Sequence, residues 1–132
     1  MLKKIGVLLM FIVSVQSYGQ NRDAIYIDDT SIDYYIYQVK GEQTKKFITE
    51  NTEGTNQLRD FIRNNVYLIQ FKRIPKSITD KLSNYPKLAT TRETKFNPRK
   101  FNPLAYGLEK VSSSRRIHID GTNYVVFINP IE

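Results

Sequence analysis

The chain has a single histidine, His118, two residues after Arg116 and two before Asp120. An imidazole beside a guanidinium is the minimal pair for acid–base chemistry on an anionic substrate. One group moves a proton while the other holds negative charge. On a strand, alternation places His118 on the face of Arg116 and Asp120, opposite Ile117 and Ile119. A ribonuclease-like phosphodiester hydrolase would use His118 and Arg116 with a second proton-transfer group. Glu93 and Glu109 are the nearest carboxylates within the basic part of the chain, and nothing in the spacing selects either. The plain alternative is a strand histidine with no catalytic role.

Metal chemistry has less to build on. One His and no Cys exclude the common zinc sets. Asp28-Asp29-Thr30-Ser31-Ile32-Asp33 offers oxygen ligands but lacks the central Gly and distal Glu of an EF-hand loop. Such aspartates more commonly cap turns through backbone N–H groups. GxGxxG, P-loop, GxSxG and HExxH patterns are all missing, so no cofactor is expected.

Charge is more informative. Residues 20–60 carry net −3, residues 61–116 net +10 and residues 117–132 net −2. The middle block is a candidate anion-facing surface, with Arg92, Arg99, Lys100, Arg115 and Arg116 as anion-binding candidates. If 32–40 is a strand, Tyr35 and Tyr37 share one face and form an aromatic platform for a base or a sugar.

These residues need a frame. Residues 24–28 read as a short strand, and 32–40, rich in Ile and Tyr, as a second that pairs with it. Residues 45–50 suggest a weaker third. Thr55 resembles a helix N-cap, with Leu58, Phe61 and Ile62 as the apolar stripe and Asn64-Asn65 as the stop. Residues 66–74 read as a central strand. Ser77 would start a second short helix with Asp80 as its capping partner, carrying Ile78, Leu82 and Tyr85 inward. Residues 87–101 are polar and basic without a period, a long loop of the kind that is often functional. Asn97-Pro98 and Asn102-Pro103 pair a capping residue with Pro at the first helical position, and the second copy would start a weak helix through Leu104 and Leu108. The hairpin is the clearest local pattern: 115–119 and 123–128 flank Asp120-Gly121-Thr122. The expected fold is α+β: an antiparallel or mixed sheet of about five strands with two or three short helices packed on one face.

Met1-Leu2-Lys3-Lys4 followed by the apolar run 5–15 resembles the leader of an exported bacterial protein. The run is too short to span a membrane. Residues 1–19 are therefore expected to be a cleavable signal peptide, and 20–132 a single small domain, periplasmic or secreted. Without Cys it has neither disulfides nor a lipid anchor. The expected function is a non-enzymatic binding module whose basic surface meets an anionic polymer or an acidic partner protein. The alternatives are the His118 hydrolase and a component that assembles by strand addition.

Overall fold

The computed structural model describes residues 23–89 and 95–131. The expected leader and Arg92 and Glu93 lie outside them. Three α-helices come first: α1 (Ile32–Lys40), α2 (Thr44–Glu50) and α3 (Thr52–Asn65). A three-stranded antiparallel sheet follows, formed by β1 (Val66–Gln70), β2 (Arg115–His118) and β3 (Tyr124–Ile128). Its order is β1-β3-β2, so the central strand is β3 rather than the 66–74 segment. Short 3-10 turns fill 82–84, 98–100, 103–106 and 108–110. Among the described residues the fold is α+β with three strands rather than the expected five.

The largest correction is α1. Residues 32–40 are not a strand, although Ile and Tyr favour one. Ile32, Tyr35, Ile36 and Val39 fall at i, i+3, i+4 and i+7, the spacing of one helical face. Ile32, Tyr35 and Ile36 are buried on that face, while Tyr34 and Tyr37 remain exposed. Asp33 in the first turn and Lys40 in the last complement the helix dipole. Gly41 closes the helix, its N–H bonding the Tyr37 carbonyl. The weak third strand at 45–50 is likewise helical. Phe47 and Ile48 of α2 pack toward the core, and Lys40 Nζ sits 4.6 Å from the centre of the Phe47 ring.

In α3 the stripe of Leu58, Phe61 and Ile62 packs as its spacing requires. Its cap is Asn51, not Thr55. The Asn51 side chain accepts from Gly54 N at 3.0 Å, while Thr55 Oγ1 donates to the Asn51 carbonyl at 2.9 Å. The stop at Asn65 is correct, and Val66 is already extended.

Strand alternation gives the sheet two unequal faces. Val66, Leu68, Ile117, Val126 and Ile128 meet α1 and α3 in the main core. Ile69 and Val125 point to the other face. There Phe71, Ile74 and Ile78 fold over them as a second, smaller cluster. That need explains why Ser77 starts no helix. Residues 71–78 must curl over the exposed face, and Ile78 N bonds the Pro75 carbonyl at 3.0 Å. The expected 24–28 strand shrinks to a single bridge, Ile25 to Leu68, with both hydrogen bonds at 2.8 Å. On the opposite edge His118 N donates to the Asp80 carbonyl at 2.9 Å. The outer edge of β1 therefore has a backbone partner at its middle and that of β2 one at its C-terminal end, which blunts pairing with another chain.

The hairpin turns as its Asp-Gly pair implies, with Gly121 at φ 76°. Both Asn-Pro copies are caps: Asn97 accepts from Arg99 N and Asn102 from Leu104 N, each at 3.0 Å. The helix expected through Leu104 and Leu108 is instead two 3-10 turns, split at Gly107, whose φ of 67° is left-handed. Asn102 does more than cap. It is buried, and its Nδ2 donates to the Tyr35 carbonyl at 2.9 Å and Gln38 Oε1 at 2.7 Å.

Asn102→Ala is therefore expected to destabilise the protein by about 3 kcal/mol, because a lost cap adds to two lost buried hydrogen bonds to α1. Asn97→Ala, at an exposed cap, should cost about 1 kcal/mol. Urea denaturation of the two variants measures both. Equal losses would show that the Asn102 amide does nothing beyond capping.

Candidate functional site

The sequence-predicted residues do not gather at one place. Arg115 and Arg116 are neighbours on β2 and so point to opposite faces. Arg115 lies beside the Tyr85 hydroxyl. Arg116 stands opposite Phe127 on the face away from the helices. Arg99 and Lys100 occupy the 98–100 turn beside α1. The backbone carbonyl of Arg99 accepts from Asp28 N at 2.8 Å and from the Tyr35 hydroxyl at 3.3 Å.

Tyr35 and Tyr37 form no platform. On a helix, residues two apart point in nearly opposite directions. Tyr35 is completely buried and Tyr37 is 44 % exposed.

An aromatic row does cross the sheet, built from other residues. Tyr26, Tyr67 and Phe127 are cross-strand neighbours, and Arg116 continues the row. The Tyr67 and Phe127 rings are parallel within 1° and 5.0 Å apart, while Tyr26 is tilted 45° from Tyr67 at 6.1 Å. Adjacent strands lie roughly 4.8 Å apart. Parallel rings at that separation turn their faces toward each other and their edges outward. Burial is the main cause that raises the Tyr67 phenol above its ordinary value, with the Tyr26 phenol beside it second. The Tyr67 and Phe127 rings thus occupy each other's faces, whereas Tyr26 is tilted and exposed.

His118 faces away from the main core, as alternation from the buried Ile117 requires. Its Nε2 lies 2.8 Å from the Thr122 carbonyl. A carbonyl only accepts, so this contact uses a protonated Nε2 and ties the imidazole to its own hairpin turn. Asp120 is engaged elsewhere: its carboxylate accepts from Ser83 N at 2.9 Å and Ser83 Oγ at 3.0 Å. The Ser83 backbone N–H is the main cause that holds this carboxyl below its ordinary value. One Glu109 carboxylate oxygen is buried without a hydrogen-bond partner, so it does not bond His118 through that atom. Glu109 also follows Leu108, which is buried on the helical side of the sheet.

The region that brings functional groups together is the loop read as 87–101. Its described parts, with α1 and the 103–106 turn, enclose a pocket of about 260 Å³. Leu82, Phe101, Ala105 and Ile119 supply buried apolar walls. Gln38 and Asn102 supply amides, already bonded to each other. Tyr106 and Phe96 line it as well, and Lys87, Lys95 and Lys100 contribute the cations. Tyr106 stacks on Phe101, with ring centres 6.0 Å apart, and burial is the main cause that raises its phenol, which keeps the hydroxyl a donor. Lys87 and Lys95 were not singled out by spacing. The only sequence signal for them is the long aperiodic loop in which they sit.

The three lysines differ. Lys100 Nζ donates to Asp28 Oδ2 and to Ser31 Oγ, each at 2.9 Å. Asp28 also accepts from Thr30 and caps the 29–31 turn, the ordinary use of such an aspartate. The Thr30 side chain and then Lys100 hold its carboxyl down at about 2. Lys87 and Lys95 are exposed and form no ion pair among the described residues.

Compared with protein-family models, with curated proteins and with solved structures, the chain finds no match. No helix among the described residues is long and apolar enough to cross a membrane.

Two outcomes are expected. The depressed Asp28 carboxyl contributes stability that is fully present above its unfolded value near 3.8 and is lost as pH falls toward about 2. Carboxyl-carbon NMR should place the Asp28 midpoint near 2, and Lys100→Gln should move it upward; an unmoved midpoint would remove Lys100 as a cause. His118→Ala and the unaltered protein should leave an RNA substrate equally intact. Cleavage that disappears in the variant would restore the hydrolase reading.

Proposed function

We propose that the protein is an exported, non-enzymatic binding module that meets an anionic polymer through the basic half of the molecule. The observation that carries this reading is the company its cations keep. Lys72, Arg73, Lys76, Lys87, Lys95 and Arg116 are all exposed, and none has a carboxylate partner among the described residues. The three ion pairs found there all use acids from residues 28–60. The acidic part of the sequence forms the helical layer, and the basic part forms the sheet and its covering loops. Charge separated in sequence thus becomes charge separated between layers.

A linear polyanion suits such a surface. Each exposed cation that meets a phosphate, sulfate or carboxylate releases a counterion, so binding accumulates from many weak contacts and falls steeply with salt. The mutual stacking of Tyr67 and Phe127 supports electrostatic recognition over base stacking at that pair. Export is part of the proposal and rests on the positive start and apolar run of residues 1–15. The hydrolase alternative draws less support, because the His118 imidazole is tied to Thr122 and Asp120 is tied to Ser83.

The test uses immobilised heparin. The protein should be retained at low salt and elute at higher salt than a neutral protein of its size. Lys72→Ser/Arg73→Ser/Lys76→Ser should weaken binding on the order of tenfold at low salt and flatten its salt dependence. Retention no greater than the neutral control would end the polymer reading. Retention unaffected by the triple change would move the contact to another surface.

A further inference from the structure

We propose that the pocket between α1, the 82–89 segment and the 95–106 segment binds an amphiphilic monoanion, a carboxylate carried on an apolar body. This rests on the reading above that unpaired cations of the basic half meet anions. It adds a discrete small-ligand site that uses Lys87 and Lys95 of the basic half, apart from Lys72, Arg73 and Lys76.

The chemistry of the lining selects the ligand. Leu82, Phe101 and Ile119 form a deep apolar wall, each at most 7 % exposed. A small inorganic anion would leave that wall facing water. A neutral apolar molecule would fill the wall but leave Lys87 and Lys95 without a counter-charge. A multiply charged ligand would bring excess charge against apolar side chains, which is costly without partners. An apolar body with one anionic end satisfies both parts. The body fills the space between these residues and the more exposed rings of Phe96 and Tyr106, while the head stays with Lys87 and Lys95.

The inner amides do not compete for the head. Asn102 Nδ2 is already donated to Gln38 Oε1 and to the Tyr35 carbonyl. Lys100 is held by Asp28 and Ser31 and serves as fixed wall. Among the described residues, Lys87 and Lys95 are therefore the lining cations without a carboxylate partner. Size adds a bound. A volume of about 260 Å³ holds about nine water-sized groups, the scale of a medium-chain acyl group or one substituted ring.

The experiment is isothermal titration of the purified protein with sodium octanoate and 3-phenylpropionate. Octanol, octylammonium, acetate and inorganic phosphate serve as controls. Octanoate or phenylpropionate should bind at least about tenfold tighter than octanol, octylammonium and acetate. Whichever of the two binds tighter identifies a chain or a ring as the body. Lys87→Gln/Lys95→Gln changes only exposed side chains, so folding should persist, as far-UV circular dichroism checks. The same variant should lose about tenfold in carboxylate affinity while its weak octanol binding is unchanged. Equal binding of octanoate and octanol, or no loss in the lysine variant, would overturn the proposal. So would binding of neither carboxylate. Phosphate binding as tight as octanoate would overturn the amphiphile class while leaving an anion site in place. Heparin retention is tested through Lys72, Arg73 and Lys76, so it reports separately whether the broader polyanion reading stands.

Discussion

The Asn102 side chain is the joint on which the helical layer and the loop half depend. One buried amide makes three hydrogen bonds: two to α1, at Tyr35 and Gln38, and one to the backbone of its own turn. In a low-dielectric interior each such bond is stronger than in water, and each missing partner is correspondingly costly. The amide therefore fixes the position of the 103–106 turn against α1. Phe101 and Leu104, on either side of it, are carried into the main core. Gln38 is buried by the same contact, although glutamine is mostly an exposed residue type. The pocket has its shape because its floor is pinned by this pair of amides.

The small sheet sets the second constraint. Three strands with apolar residues on both faces cannot be covered by helices on one face alone. The helices take the side of Val66, Leu68 and Val126, and irregular chain must take the other. Residues 71–78 do so with Phe71, Ile74 and Ile78 inward and Lys72, Arg73 and Lys76 outward. The basic character of that side follows from this arrangement. A covering loop needs polar residues on its outer surface, and in this chain they are cations.

Legibility in the sequence followed the range of the interactions involved. The Asp120-Gly121 turn and the caps at Asn97 and Asn102 act through bonds between near neighbours in the chain, so they were readable directly, whereas the helix expected after Asn102 breaks into two turns at Gly107. The stripe of α3 was readable too, and only its cap was misplaced, from Asn51 to Thr55. In 32–40 two signals competed. Residue preference favoured a strand, but the positions of Ile32, Tyr35, Ile36 and Val39 favoured a helix. Tertiary burial decided for the periodic signal, because one face had a core to enter. The pocket was not legible. It depends on contacts such as Asn102 to Gln38, 64 residues apart, and no local pattern records them.

The lysines show why charge counted along a chain is a weak guide to binding. Lys100 lies within the most basic block, yet it is neutralised by Asp28, 72 residues away, in a contact that fixes the wall of the pocket. Lys87 and Lys95 have the same side chain and line the same pocket, but fold against no carboxylate among the described residues. The first is structural because its partner is within the chain. The other two have no carboxylate partner among the described residues. The difference comes from the turn that Asp28 caps, which places its carboxylate within reach of one lysine of the three.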